Sequence, residues 1–279
     1  MDYNAEATRQ LESIYQTDDA VVRRSTLLNA LSPAIDEHVI DICTGPGFVA
    51  SEIADRVGRG GSVTAVDNSD DSLRLAKIRC CNQSQVSIQH ANATDLPFRS
   101  DVFDVAVSVQ VFEYIDDVDI AIREMYRVLK PGGRAALIAT DWDSIIWQAT
   151  DADLMRRVLG AWEELCAHTN LPRTLLPRLR KVGFDIINSQ PLQQFATEDS
   201  EDKYVHQIVP FISAFVIGRQ GLTRDDLKRW SQDLSNCGQN GEYFFWLNQL
   251  AVIAQKPSHD RRFQSPYAFK APMYNYSSS

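Results

Sequence analysis

Basic residues are in short supply. The 28 Lys and Arg stand against 37 Asp and Glu, a net charge of −9 over 279 residues. Affinity for a phosphate backbone is built largely from clustered cations, so this balance argues against a nucleic-acid partner. The local basic run "RLRK", Arg178 to Lys181, reads as the solvated face of a helix. Cysteine is also sparse. Cys43, Cys80, Cys81, Cys166 and Cys237 are odd in number and irregularly spaced, which fits reduced thiols in a cytoplasmic protein rather than a disulfide framework. Without a Cys-x-x-Cys or His-x-x-x-His pattern, no metal site is expected. No apolar run approaches membrane-spanning length, and "MDYNAEATRQ" lacks a basic region followed by an apolar stretch, so neither a membrane span nor a signal peptide is expected. What remains is ordinary for a globular enzyme: 44% apolar and 23% charged residues, enough chain for one large domain or a core with an appendage.

Between residues 38 and 140, β-rich runs alternate with helical patterns. "HVIDIC", "SVTAVD", "VSIQHA", "FDVAVSV" and "RAALIAT" read as strands. In "PGFVASEIADRV", Phe48, Ile53 and Val57 share a helical face, and Ser69 is placed to cap "DDSLRLAKIR". A third helix, "DDVDIAIREMYRVLK", stops at Pro131-Gly132-Gly133. Such alternation predicts an α/β fold with a parallel sheet covered on both faces. After Thr140 the pattern changes to two helices near 151–169 and 172–183, a strand-like "FDIINSQPLQQFAT", two more helices near 201–218 and 223–236, and a last β run, "YFFWLNQLAVIAQK", suited to an antiparallel return. Residues 258–279 are read as a mobile tail.

The chemistry starts at "VIDICTGPGFVA". Gly45, Gly47 and Ala50 fit a Gly-x-Gly-x-x-Gly/Ala turn, and Asp67 follows where a ribose-binding acid should lie. A dinucleotide and S-adenosylmethionine both satisfy that much. Asp41, ahead of the glycines, separates them, because a carboxylate there repels a pyrophosphate and favours a ligand carrying an ammonium and a sulfonium. After the third strand, Asn92 offers an acceptor oxygen to an adenine amino group and Ala93 offers its N–H to a ring nitrogen.

With these residues the chain resembles the class I S-adenosylmethionine-dependent methyltransferases, in particular the ubiquinone/menaquinone-biosynthesis and arsenite methyltransferase-like small-molecule group. The resemblance is strong over residues 15–143. It implies a Rossmann-like, doubly wound seven-stranded sheet, mostly parallel with an antiparallel last strand, plus a helical lid insertion. In domain terms it implies an N-terminal helical lid over 1–37, a methyltransferase domain over 38–257 and an acceptor-lid insertion over about 195–240. Carried over residue by residue, the cofactor set is Tyr15, Arg24, Asp41, Cys43, Gly45, Gly47, Asp67, Asn68, Asn92, Ala93 and Gln110. Cys43 replaces a frequent glycine and Asn92 a frequent aspartate. The cysteine is read as a small passive residue under the methionine end, and thiol-ligated arsenic is disfavoured because the other cysteines do not converge on it.

The expected acceptor is a small organic molecule, with a hydrophobic or aromatic body suited to "YVHQIVPFISAFVIG". Glu113, Asp141 and Asp143 are candidate bases, since carboxylates near the acceptor orient or deprotonate a hydroxyl or amine. Tyr114, Trp142, Trp147 and His206 are candidate acceptor contacts, each with a plain packing alternative. A cofactor-binding protein or cyclase of the same fold, and a protein-side-chain methyltransferase, stay open, as does a homodimer.

Overall fold

The computed structural model describes residues 5–258. Two N-terminal helices, α1 (Ala5–Gln16) and α2 (Asp18–Leu31), precede the first strand, β1 (His38–Ile42). Then come α3 (Phe48–Val57), β2 (Ser62–Asp67), α4 (Asp70–Arg79), β3 (Val86–His90), β4 (Phe103–Val109), α5 (Val118–Val128) and β5 (Leu129–Trp147). The remaining elements are α6 (Ala152–Glu163), α7 (Leu171–Val182), β6 (Asp185–Ala196), α8 (Tyr204–Val216), α9 (Arg224–Gln239) and β7 (Phe245–Gln255). Seven strands form one sheet in the order β3-β2-β1-β4-β5-β7-β6, with β7 antiparallel to both neighbours. The expected mixed, doubly wound sheet is what the chain forms. No described helix is long and apolar enough to cross a membrane.

The burial of β1 explains its apolar run. Val39 pairs with Val63 on one side and Val105 on the other, so Val39, Ile40 and Ile42 lie inside the sheet with both faces covered. On one face, Ile40, Phe103, Ile122, Met125 and Leu175 pack beneath α5 and α7. On the other, Val39, Val63, Leu27, Ile53 and Val57 pack beneath α2 and α3. A third core holds Trp142, Trp147, Trp162, Phe211, Trp230 and Phe245, and it joins β5 and β7 to α6, α8 and α9. Strand order reverses between β1 and β4, where an open α/β sheet leaves a crevice at its carboxyl edge.

One expectation needs correcting. The run "RAALIAT" and the change of pattern after it place the end of the fifth strand at Thr140. Instead β5 runs on to Trp147, shifts register between Asp141 and Ile146, and pairs Ile146 with Trp246 and Trp147 with Phe245. The partner strand β7 is long enough to supply main-chain acceptors beyond Thr140, so the chain has no reason to leave. Pro131-Gly132-Gly133 likewise joins the extended segment, with Gly132 at φ +81° donating its N–H to the Lys256 carbonyl at 2.8 Å. The expected tail, from residue 259 onward, and residues 1–4 of the N-terminal lid lie outside the described residues.

Candidate functional site

The turn after β1 is held in an unusual backbone shape. Cys43, Gly45 and Gly47 have φ of +59°, +55° and +81°. Thr44 donates its N–H to the Val66 carbonyl at 2.9 Å and its hydroxyl to Asp41 Oδ2 at 2.6 Å. The Asp67 carboxylate accepts from Gly45 N–H and Ser69 N–H, both at 2.9 Å, and so ties the β1 turn to the end of β2. The two glycines do different work. A Cβ on Gly47 would meet the Cα and Cβ of Ala76 at 2.9 Å, so its small size lets α4 pack on the turn, whereas a Cβ on Gly45 would meet nothing within 4 Å.

Gly45 faces a cavity of about 220 Å³ at the β1–β4 crevice. Cys43, Pro46, Asp67, Asn68 and Ser72 line one side of it, from the turns after β1 and β2. Leu11, Ile14, Trp142, Trp162, Ile208 and Phe211 line the other, from α1, β5, α6 and α8. Tyr15, Gln110, Tyr114 and Tyr204 add polar groups to the wall, with Val111, Ile115 and Leu165 beside them. Gln110, at φ +56°, donates to Thr140 Oγ1 at 3.1 Å and also hydrogen-bonds Tyr204.

Burial sets the electrostatics here. Asp41 is driven up to about 7, chiefly by desolvation, with nearby Asp67 acting in the same direction against hydrogen bonds from Thr44 and Ala50. Desolvation also raises Asp67. The Cys43 thiol is pushed far above its ordinary range by burial and by the two aspartates, so it stays protonated and a poor nucleophile. Tyr15 is raised to about 12 by burial and stacks on Phe48 at 5.8 Å.

The other sequence candidates take varied positions. Arg24 donates to Glu52 Oε1 at 2.9 Å and to the Tyr15 carbonyl at 2.6 Å. Its neighbour Arg23 is buried, sits 5.5 Å from the Tyr204 ring centroid, and has no hydrogen-bond partner on any of its three guanidinium nitrogens. Asn92 accepts from the N–H and hydroxyl of Thr94, Ala93 is buried behind it, and neither lines the cavity.

Glu113 is fully buried on the 3-10 turn Phe112–Tyr114 and does not line the cavity. Its Oε1 accepts from Thr140 N–H at 3.1 Å, and its carbonyl accepts from His168 N–H. Burial raises its carboxyl to about 7. Asp141 is clamped by Arg173 through two bonds of 2.9 Å, and Asp143 is held by Asn170 and Arg173. Trp147 packs against Trp230 and Phe245, and His206 binds Asp199 Oδ1 at 2.7 Å, both away from the lining. Trp142 and Tyr114 do line it. The run "YVHQIVPFISAFVIG", expected to suit the acceptor, does supply Tyr204, Ile208 and Phe211 to the lining, though sequence reading did not single them out, and it passed over Arg23 and Trp162. Apart from Arg23, these sit in helices whose partners the sequence did not reveal; for Arg23, adjacency to Arg24 was the only signal.

Residues 40–137 match the methyltransferase domain family. Among curated relatives, the chain is 37% identical over 102 residues to 2-phytyl-1,4-naphtoquinone methyltransferase of Nostoc sp., covering 36% of this chain and 44% of that one. The chain spans about half the length of the curated relatives it matches. Among solved structures, the [4+2]-cyclase SpnF superposes with a TM-score of 0.57 at 20% identity, covering 86% of this chain and 81% of the other. A phosphoethanolamine N-methyltransferase 2 of Haemonchus contortus, in complex with S-adenosyl-L-methionine, gives 0.59 at 19% identity, covering 92% and 58%. At these identities the superpositions establish the fold alone.

Proposed function

With a methyltransferase domain at residues 40–137 as the starting point, we propose that the chain uses S-adenosylmethionine to methylate a small, largely apolar acceptor. The carrying observation is the open space in front of Gly45, where a left-handed backbone bared of Cβ borders a cavity whose floor carboxylate, Asp67, already grips the turn. Those residues fit the cofactor. Asp67 keeps lone pairs for a ribose diol, Asn68 stands at the adenine edge with Asn92 and Ala93 beyond it, and Asp41 lies beneath the methionine end. Of the two N-terminal arginines, Arg24 already holds Glu52 and the Tyr15 carbonyl and Arg23 is buried beside Tyr204, and neither lines the cavity. Tyr15, Gln110 and Tyr204 shape the wall between the two ends.

S-adenosylmethionine, when bound, supplies an electrophilic methyl on a sulfonium. The chain's own share is alignment and exclusion of water. Holding an acceptor in line is worth about 7–11 kcal/mol of barrier in favourable cases. Glu113, Asp141 and Asp143 are placed to hold structure rather than to take a proton, since each is tied to protein partners outside the lining. The same reading keeps the N-terminal helices and the α8–α9 insertion as covers for the cavity, and assigns the chain no nucleic-acid partner.

Calorimetric titration with S-adenosylmethionine and S-adenosylhomocysteine, followed by a metabolite screen scored by S-adenosylhomocysteine release, tests the reading. Binding of both and turnover of a small acceptor are expected. A folded protein that binds neither would overturn it.

A further inference from the structure

A row of buried polar side chains crosses the sheet and ends at the cavity wall. Gln194 on β6, Gln249 on β7 and Thr140 on β5 are each no more than 4% exposed. Gln194 Nε2 donates to Gln249 Oε1 at 3.3 Å, and Gln249 Nε2 donates to Thr140 Oγ1 at 3.0 Å. From the other side, Gln110 Nε2 donates to the same Thr140 oxygen at 3.1 Å. A threonine hydroxyl has two lone pairs and one proton. The two amides take both lone pairs, and the proton goes to the Glu113 carboxylate. The nitrogen end of Gln110 is thereby fixed on Thr140. Its oxygen end is left for Tyr204, the cavity-lining residue that opens α8 and hydrogen-bonds Gln110. Each proton in the row then points toward Glu113, and bonds ordered in one sense reinforce one another.

The backbone of Gln110 is bent to serve this row. Val109 pairs with Ile138, and Ile138 shares a face of β5 with Thr140. Regular alternation would send the next side chain, Gln110, to the opposite face. Its φ of +56°, uncommon outside glycine, asparagine and aspartate, turns the amide to Thr140 instead. Strain of this kind persists where the surroundings over-determine it, and it gathers at functional sites. The row also runs from β6, the strand that leads into α8, to the first residue of α8, so both flanks of the 197–203 connection are tied to Thr140. Resting on the reading of α8 as a cover for a cofactor cavity, we propose that Thr140 is a positioning residue. By fixing the Gln110 amide it holds the Tyr204 hydroxyl, and with it α8, closed over the bound cofactor.

Two measurements test it: stopped-flow release of S-adenosylhomocysteine, and amide exchange over residues 204–216 in the ligand-free protein. Thr140→Val swaps the hydroxyl for a methyl of the same shape. It should speed release about three- to tenfold, as loss of one net hydrogen bond requires, and quicken exchange over 204–216 while β1 stays unchanged. Thr140→Ser, which keeps the hydroxyl and loses the methyl, should recover most of both effects. Tyr204→Phe breaks the tie at its other end and should match Thr140→Val. The double variant should be no faster than either single one, since both changes remove the same link. Should Thr140→Val not fold, Thr140→Cys, a far weaker acceptor of similar size, takes its place in the cycle.

Additive effects of Thr140→Val and Tyr204→Phe overturn the proposal. So does a Thr140→Ser protein that releases ligand faster than Thr140→Val, because packing of the methyl alone predicts that order. S-adenosylhomocysteine binding with release and exchange both unmoved by Thr140→Val would sink the proposal and spare the methyl-transfer reading. A protein that binds no S-adenosylhomocysteine, yet whose α8 exchange is quickened by Thr140→Val and restored by Thr140→Ser, would do the reverse.

Discussion

The difference between Gly45 and Gly47 is a difference of neighbours. Both have positive φ, which costs any residue with a Cβ about 1–2 kcal/mol. Gly47→Ala adds a collision with Ala76, so its expected loss is about 2–4 kcal/mol of stability by chemical denaturation. Gly45→Ala should lose only the backbone part and instead weaken S-adenosylhomocysteine roughly tenfold by calorimetry. Cys43 already bears positive φ with a side chain, so Cys43→Gly should relieve strain and leave turnover nearly unchanged. Glu113 sets a pH dependence. Its folded carboxyl sits near 7, above its ordinary value, so the folded state holds the proton more tightly than the unfolded chain does. That stabilisation is full below about pH 4.5 and is lost as pH rises through about 7. In thermal melts from pH 5 to 8, Glu113→Gln should flatten the decline by up to about 3 kcal/mol while keeping the acceptor for Thr140 N–H.

At the scale of elements, α8 starts without a side-chain cap of its own. Asp19, in the first turn of α2, supplies one from outside: Oδ2 accepts from Tyr204 N–H at 3.1 Å, and Oδ1 lies 3.8 Å from Lys203 Nζ. A carboxylate at a helix N-terminus satisfies an orphan N–H and suits the dipole, typically worth about 1 kcal/mol. Here it fastens the insertion to the N-terminal helices across the cavity. Asp19→Ala should therefore speed proteolysis within residues 197–216 and raise the off-rate of S-adenosylhomocysteine severalfold in stopped-flow, with little change in global unfolding. The latch could not be read from sequence, because it joins residues 185 positions apart. The cap read from sequence was a local one, Ser69 on α4, and the structure adds another local one, the Thr223–Asp226 capping box on α9.

Taken as a whole, the molecule has two kinds of core. The sheet cores on either side of β1 come from strands and crossovers close in sequence, and their alternating patterns made the order of elements legible. The turn from Asp41 to Gly47 and Asp67 was legible for the same reason, since its chemistry sits at fixed distances from strand ends. The third core assembles Trp142, Trp162, Trp230 and Phe245 from four elements spread over a hundred residues, and no local spacing announces that meeting. Side-chain direction was lost with it, which is why Glu113 and Trp147 were expected at the cavity and face elsewhere. Amide exchange should divide along the same line: α8, capped from outside and interrupted by Pro210, is expected to exchange well before β1 and β4.

β5 and β7 each span both kinds of core, β5 with Ala135 to Ala139 in the sheet and Trp142 and Trp147 in the insertion, β7 with Ala251 to Ala254 in the sheet and Phe245 and Leu247 in the insertion. That gives descent a hinge point. Substitutions in α6, α8 and α9 change what is admitted while the nucleoside end is inherited intact. A one-residue insertion or deletion at residue 141 would turn Trp142 to the other face and change the clientele in a single event.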